Sequence, residues 1–198
     1  INHCGLIGDL LAKFHNYGSG FETHLTNSRD LTWCQQAYKK LAVVVSTDQS
    51  NLIRDAILIQ KEMEKENLPI GTIHADLFKD NVLFNNDNVS GMIDFYYSCS
   101  GFLIYDLAVV MNDWCSDKEG VIIEAKANNL ISSYNKNREI QNVEKIFWNH
   151  ALISASLRFF LSRLLDLHYP KIGEMTHIKD PKVFENILTD RMKKSYVV

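Results

Sequence analysis

The feature that most constrains the fold is a short β-like segment that lies between two stretches of helical periodicity. Residues 82–84 and 89–93 have the composition of strands, and the four polar residues 85–88 between them predict a hairpin turn. A further short β-like run precedes them at residues 72–74. On both sides of this segment, apolar residues recur at helical spacing. The sequence therefore predicts an α+β domain that is mostly α, with a small β-hairpin embedded in it.

The helices are predicted from the spacing of apolar residues and from residue types that begin and end helices. Asp48 is expected to be the N-cap of the third helix, and Asp180 followed by Pro181 predicts an N-cap with proline at the first helical position. The predicted helices cover residues 5–17, 31–44, the segment that Asp48 begins, 105–114, 118–135, 140–168 with one break, and 181–194.

Composition excludes several classes of protein. The chain has 198 residues, of which 46% are hydrophobic, so it can bury an ample core. Its net charge is -3 and its Lys and Arg residues are scattered, which argues against nucleic acid as a partner. It contains no uncharged apolar run long enough to span a membrane. The four cysteines have no metal-binding spacing, so free thiols in a reducing cytoplasm are expected.

The candidate chemistry lies in the β-like segment. Residues 74–81 read HADLFKDN, which has the H-x-D-x-x-x-x-N spacing of a kinase catalytic loop, and Asp94 ends the second strand of the hairpin. Asp76 is placed to accept the proton of an attacking hydroxyl. Asn81 and Asp94 can offer an amide oxygen and a carboxylate to one cation, and Mg²⁺ favours a few protein oxygens together with phosphate oxygens. The motif therefore predicts phosphoryl transfer.

The alternative is that these Asp and Asn residues are ordinary turn residues, since both types are common in turns. The strands predicted around the motif, and the Asp-Phe pair at the end of the last one, favour the catalytic interpretation. His74 is expected to anchor the loop backbone and not to transfer a proton. Asp80 is expected to cap the loop and not to bind the metal.

The string IHADLFKDNVLFNNDNVSGMIDFYYSC, residues 73–99, resembles the homoserine kinase branch of the aminoglycoside-phosphotransferase-like kinases. Residues 11–34, 103–115 and 156–164 resemble the same family, so the similarity runs from about residue 5 to residue 170. The chain departs from the family at His24 and Leu25, where basic residues are usual, and at Asp30, where glycine is usual. It differs from protein kinases at Ala75 and Tyr96, where those enzymes have Arg and Gly.

The resemblance implies that residues 1–198 form the C-terminal lobe of a protein-kinase-like fold, and that a nucleotide-covering N-terminal lobe is missing from this chain. The 198 residues contain no glycine-rich phosphate-binding motif and no counterpart of the strand lysine of kinases, in agreement with that implication. The missing initiator methionine favours a separated domain over a natural truncation. By resemblance the cofactors are ATP and Mg²⁺, the acceptor is L-homoserine in threonine biosynthesis, the catalytic base is Asp76, and the metal ligands are Asn81 and Asp94.

Four further residues are candidates for supporting roles. Asp106 resembles the family's acidic residue that supports the catalytic loop, and a plain helix N-cap is the alternative. Arg158 and Arg163 are candidates to bind a substrate carboxylate, because guanidinium binds carboxylate in a bidentate fork. Structural ion pairs are the alternative, and for Arg163 the partner would be Asp166. Asp113 is a candidate partner for a substrate ammonium group, or a solvated helix residue.

Three other functions compete with homoserine phosphorylation. The first is another kinase of the same fold, acting on choline, an aminoglycoside or a methylthio-sugar. A basic acceptor would require an acidic cleft, whereas the segment with Arg158 and Arg163 is positive. The second is a catalytically inactive binding module, against which the intact Asp76, Asn81 and Asp94 argue. The third is a helical interaction domain, which the acidic loop and hairpin disfavour. The three tryptophans, Trp33, Trp114 and Trp148, are expected to belong to the core.

Overall fold

The computed structural model describes residues 2–21, 23–170 and 179–198. Most of them lie in helices. These are α1 (Asn2–Gly18), α2 (Leu31–Leu41), α3 (Thr47–Met63), α4 (Leu103–Trp114), α5 (Glu124–Asn135), α6 (Asn142–Ile146), α7 (Trp148–His168) and α8 (Pro181–Lys193). Four short strands lie between α3 and α4, namely β1 (Ile70–Ile73), β2 (Val82–Asn85), β3 (Asn88–Met92) and β4 (Cys99–Phe102). The predicted mostly α fold with an embedded hairpin is confirmed.

The strands form two antiparallel pairs, and the motif at residues 74–81 lies between β1 and β2. In the β2–β3 hairpin, Asn86 has a positive φ of 53°, a conformation that asparagine tolerates better than most residues. The other pair joins β1 to β4, with Ile73 opposite Cys99. Because Ile73 immediately precedes the motif, this pairing brings the start of residues 74–81 close to the segment that follows Asp94.

Helix α7 forms the centre of the core, and α2, α3, α4 and α8 pack around it. Buried residues occur on every side of α7, as expected for a helix surrounded by other elements. Trp114 and Trp148 are buried in this core, as predicted. Trp33 is only partly buried, at the edge of the core.

Two predicted helix starts are wrong. The N-cap of α3 is Ser46 and not Asp48, because Ser46 and Gln49 exchange side-chain and backbone hydrogen bonds in a capping box. The helix predicted from residue 118 begins only at Glu124. Before it, the chain forms an isolated bridge between Ser116 and Ile122 and turns through Gly120, whose φ of 87° is incompatible with a right-handed helix.

Other boundaries agree more closely with the predictions. Helix α2 ends at Leu41, three residues before the predicted end. The expected break in residues 140–168 lies at Phe147, between α6 and α7. The Asp180 side chain accepts a hydrogen bond from the Lys182 N–H and caps α8, as predicted, with Pro181 in the first turn.

All four cysteines are free and buried. Among the described helices, none combines the length and the apolar character needed to cross a bilayer.

Candidate active site

The backbone of the motif is held in a strained turn by Asp106. Ala75 has a φ of 63°, in the left-handed region, which costs about 1 kcal/mol for a residue with a Cβ. The two oxygens of the Asp106 carboxylate accept hydrogen bonds from the backbone N–H groups of His74 at 2.7 Å and of Ala75 at 2.8 Å. A buried carboxylate with two backbone donors can therefore maintain a turn that alanine would otherwise avoid.

Asp106 is fully buried in the first turn of α4 and also connects the loop to α1. Its Oδ2 lies 3.1 Å from Nε2 of His15, and the other ring nitrogen of His15 lies 2.8 Å from the Tyr134 hydroxyl. Burial raises the pKa of Asp106, but the hydrogen bonds from His15 and the His74 backbone outweigh it and hold the pKa below its ordinary value. The N-cap alternative is not observed, since the N-cap residue of α4 is Phe102.

The His74 side chain is engaged on both ring nitrogens. Its Nε2 donates to the carbonyl of Ile93 at 3.0 Å, and its Nδ1 accepts from the N–H of Asp76 at 3.3 Å. The ring also packs against Phe95. These bonds join the start of the motif to the end of the hairpin, which is the anchoring arrangement expected from the sequence.

Asp76 is mostly buried beside Arg158, and its pKa is raised. Its side chain is only 17% exposed, and its Oδ1 lies 3.2 Å from Nη1 of Arg158. Burial raises the pKa of Asp76 above its ordinary value, and repulsion from Asp94 adds to this, while the positive charge of Arg158 offsets only part of it. A carboxylate whose pKa is raised is a stronger proton acceptor than an ordinary aspartate.

Asn81 and Asp94 lie on either side of the junction between the loop and the hairpin. The Asn81 side chain donates from Nδ2 to the backbone carbonyl of Asp76 at 2.7 Å, which leaves its amide oxygen for another partner. The backbone carbonyl of Asn81 accepts from the N–H of Ile93 at 3.0 Å and so brings the next residue, Asp94, close to the loop. Asp94 is exposed, with a φ of 63°.

Asn81 and Asp94 suit Mg²⁺, which keeps water and phosphate ligands, better than they suit a metal ion whose ligands all come from the protein. The described residues contain no cluster of three or more His, Cys, Asp or Glu residues that could enclose an ion. One amide oxygen and one exposed carboxylate are too few for a closed site. They suit a magnesium ion whose remaining ligands are water and phosphate oxygens.

The three residues predicted to bind the substrate have different surroundings. Arg158 is buried and forms its ion pair with Asp76, which is the structural pairing considered as its alternative. Its guanidinium also stacks on Phe159, at 3.8 Å from the ring centroid, and on Tyr97, at 4.6 Å. Arg158 is therefore next to the predicted base, but its charge is already partly compensated.

Arg163 and Asp113 lie close to the loop but have other partners. Arg163 donates to the backbone carbonyl of Asp180 at 3.0 Å and stacks on an aromatic ring of α8. Within the described part of the chain, no ion pair joins Arg163 to Asp166. Asp113 accepts from the N–H of Lys79 at 2.9 Å, and Lys79 donates from Nζ to the Asp113 carbonyl at 2.7 Å.

Asp80 is exposed and forms an ion pair of 2.8 Å with Lys179. The hydrogen bond from Lys179 holds the pKa of Asp80 below its ordinary value. The pair connects the loop to the segment before α8.

Reasoning from the sequence did not identify two residues near the site, Arg29 and Tyr97. The guanidinium of Arg29 lies 5.0 Å from the ring centroid of Tyr97 and 4.7 Å from that of Trp33, and it donates to the Tyr97 hydroxyl at 3.3 Å. The same tyrosine ring contacts Arg158. Both lie in stretches that resemble the family, but neither belongs to the motif at residues 74–81. The one local signal is that Arg29 directly precedes Asp30, which caps α2 by accepting from the Trp33 N–H.

Comparisons with a family model and with curated proteins agree on one family. A family model described as "Phosphotransferase enzyme family" matches residues 2–139. A homoserine kinase of Neisseria meningitidis serogroup B is 42% identical over 185 residues, which are 93% of this chain and 61% of that protein. A homoserine kinase of Methylobacillus flagellatus is 38% identical over 186 residues, which are 94% of this chain and 58% of that protein. The chain thus spans about three fifths of the length of these relatives.

The fold is also found among solved structures. A choline/ethanolamine kinase family protein from Mesorhizobium loti superposes with a TM-score of 0.67 at 17% sequence identity, over 96% of this chain and 60% of that one. At this identity the similarity establishes the kinase-like fold alone, and it agrees with the lobe predicted from the sequence.

Proposed function

Because the chain belongs to the phosphotransferase enzyme family, we propose that the protein of which it is part transfers the terminal phosphoryl group of ATP to the side-chain hydroxyl of L-homoserine. The observation that carries this proposal is the identity of 42% and 38% to two curated homoserine kinases, over more than nine tenths of this chain. The product would be O-phospho-L-homoserine, an intermediate of threonine biosynthesis, and the enzyme would act in the cytoplasm.

In the proposed reaction, Asp76 accepts the proton of the acceptor hydroxyl as its oxygen attacks the γ-phosphorus. The raised pKa of Asp76 suits it to this role, because a proton acceptor works best when its pKa approaches the operating pH. The loop is kept in place by Asp106 and His74 through the backbone bonds described above. Positioning of this kind contributes much of the catalysis in phosphoryl transfer.

Asn81 and Asp94 would hold Mg²⁺, through the free amide oxygen and the exposed carboxylate. When bound, the ion supplies positive charge to the oxygens of the phosphate groups. The exposure of Asp94 to solvent is consistent with a site that ATP completes.

We further propose that residues 1–198 are the C-terminal lobe of a two-lobed kinase. The nucleotide-covering lobe would lie in the part of the protein that this chain lacks. Two observations support this proposal: the chain spans only about three fifths of its curated relatives, and its sequence contains no glycine-rich phosphate-binding motif.

The test is a comparison of kcat/KM for L-homoserine, choline and 3-aminopropanol with the full-length enzyme. We expect homoserine to be preferred by orders of magnitude, because a site built to bind both charged groups leaves buried groups unpaired when one is missing. If choline or 3-aminopropanol equals or exceeds homoserine, the homoserine proposal fails. A kinase for another small molecule of the same fold would then replace it.

A further inference from the structure

A cleft lies between α2 and α7, and its wall includes Tyr97, which contacts the arginine that pairs with the predicted base. It encloses about 410 Å³ and is lined by Arg29, Trp33, Lys40, Tyr97, Ser162 and Asp166 among others. We call it the α2–α7 cleft. Ser162 and Asp166 follow Arg158 at intervals of four residues, so all three lie on one face of α7. Tyr97 lines the cleft and its ring also contacts Arg158, which pairs with Asp76, so the end of the cleft at Tyr97 is connected to the predicted base through Arg158.

Arg29 lines the cleft next to Tyr97 and has unused donors. Its Nη1 bonds the carbonyl of Ser28 and its Nη2 bonds the hydroxyl of Tyr97, both at 3.3 Å, beyond the usual range for a strong bond. Its Nε is buried and has no hydrogen-bond partner in the described part of the chain. No carboxylate of the described residues forms an ion pair with Arg29. A guanidinium has five donors and is best satisfied by a planar carboxylate.

We propose that Arg29 binds the carboxylate of the acceptor, that the α2–α7 cleft is the acceptor site, and that Arg158 instead positions Asp76. This inference rests on the proposed function. Arg158 is nearly fully buried and already contacts the carboxylate of the base. Its guanidinium therefore influences the charge and orientation of Asp76 directly. Within the residues that the structure describes, Arg29 forms no ion pair with the base or with another acid, and its guanidinium lies over the rings of Trp33 and Tyr97.

The distances are compatible with a substrate that bridges Asp76 and Arg29. Both guanidinium groups contact the ring of Tyr97, Arg158 at 4.6 Å and Arg29 at 5.0 Å from its centroid, so they can be no farther apart than these two distances combined. An extended four-carbon hydroxy amino acid spans about 5 Å from its hydroxyl to its carboxylate, and a hydrogen bond at each end adds about 3 Å. The resulting span of about 11 Å lies within the separation of Asp76 and Arg29 that these contacts allow once the 3.2 Å between Arg158 and Asp76 is added.

The charges that line the cleft favour a zwitterion over a purely cationic acceptor. Arg29 and Lys40 contribute positive charge and Asp166 contributes a negative one. A substrate with a carboxylate and an ammonium group on the same carbon can meet both signs. An acceptor that carries only a positive charge would face two like charges, which is unfavourable.

The test uses the full-length enzyme with Arg29→Gln and Arg29→Lys, and Arg54→Gln as the matched control. Arg54 is exposed on α3, donates a hydrogen bond to the side chain of Asn51 and does not line the cleft. With L-homoserine, we expect Arg29→Gln to lower kcat/KM by roughly 10- to 100-fold, mainly through KM, as for a lost hydrogen bond to a charged group. Arg29→Lys should restore part of the loss, because it retains the charge without the fork.

The second substrate separates carboxylate binding from a structural role. Turnover of 3-aminopropanol, which has no carboxylate, should be nearly the same in Arg29→Gln as in Arg54→Gln and the wild type. Arg158→Ala, in contrast, should reduce turnover of both substrates, because it disturbs Asp76. Residual turnover of 3-aminopropanol also reports that each variant is folded.

Three results would overturn the assignment of Arg29. Equal kcat/KM for homoserine in Arg29→Gln and Arg54→Gln would show that Arg29 does not bind the acceptor. An equal loss with both substrates would show a positioning or structural role. Failure of the wild type to phosphorylate homoserine would defeat the proposed function first, and the carboxylate assignment with it. The wild-type comparison alone therefore distinguishes the two failures.

Discussion

At the scale of single residues, the pKa of Asp76 that suits it to its proposed role as a base also lowers the stability of the folded protein. Burial and the neighbouring Asp94 raise its pKa in the folded state, and Arg158 lowers it by less. Ionising Asp76 therefore costs more in the folded protein than in the unfolded one. This destabilisation is absent below the unfolded pKa, grows as the pH rises through the folded pKa, and is fully present above it.

We accordingly predict that Asp76→Asn lowers kcat by about 10² to 10⁴, the usual cost of losing a general base. Its thermal unfolding midpoint at pH 7 should be equal to or higher than that of the wild type, because asparagine has the shape of aspartate without the buried charge. Steady-state kinetics and differential scanning calorimetry measure the two effects. Exposed Asp55 on α3 provides the control variant Asp55→Asn, which should change neither.

The pH profile supplies an independent check of the same assignment. In the wild type, kcat/KM should fall on the acid side with a pKa above the ordinary value of about 3.9 for aspartate. Near wild-type turnover by Asp76→Asn, or an acid limb unchanged in any residual activity of that variant, would contradict the role of Asp76 as the base.

At the scale of elements, the position of α1 depends on a close approach to α5. A Cβ added at Gly8 would lie 2.2 Å from the backbone carbonyl oxygen of Leu130, a contact that no side-chain movement can relieve. Helix α1 also carries His15, whose ring contacts Asp106 and Tyr134. The packing of these two helices therefore affects the support of the loop at residues 74–81, the predicted catalytic loop.

We predict that Gly8→Ala destabilises the protein by about 1–3 kcal/mol, the typical cost of overpacking. This loss would occur although alanine favours helix formation more than glycine does. Gly20→Ala is the matched control, since a Cβ there meets no atom within 4 Å. Denaturant unfolding of the two variants measures the difference. Equal stability would show that α1 and α5 can separate without cost.

At the scale of the whole molecule, apolar side chains are exposed near Asn81 and Asp94, the predicted magnesium ligands. Leu83, Ile93, Phe95 and Tyr96 are between 42% and 83% exposed, and they lie on the hairpin and directly after it. Exposed apolar groups that cluster beside a predicted site often mark a surface that a partner covers. This agrees with the proposal that the nucleotide and a second lobe lie here in the full-length protein.

We therefore predict that the isolated residues 1–198 bind Mg²⁺ weakly and phosphorylate no acceptor. Asn81 and Asp94 provide too few ligands without the phosphate oxygens of ATP. Isothermal titration with MgCl₂ and an ATP-consumption assay measure the two properties, with the full-length enzyme as the positive control and circular dichroism to confirm that the isolated chain is folded. ATP-dependent phosphorylation by the isolated residues would disprove the proposal of a missing lobe.

Local features of this protein were predictable from the sequence alone. The order of helices and hairpin follows from apolar periodicity, and the cap at Asp180 follows from two adjacent residues. The spacing of Asp76, Asn81 and Asp94 identifies a candidate site, because a short loop and a hairpin leave the chain few paths between them. Even the error at Asp48 was local, since the pattern of Ser46 and Gln49 is a capping-box signature.

The partners of these residues depended on the tertiary structure. Asp76 meets Arg158 across 82 residues, Asp106 meets His15 across 91, and Arg29 meets Tyr97 across 68. Hydrogen bonds within a turn or a cap involve neighbours whose spacing the chain itself imposes, so their pattern is visible in the sequence. Ion pairs and stacked rings between distant segments form only where helix packing brings those segments together, and no spacing along the chain specifies which side chains will meet.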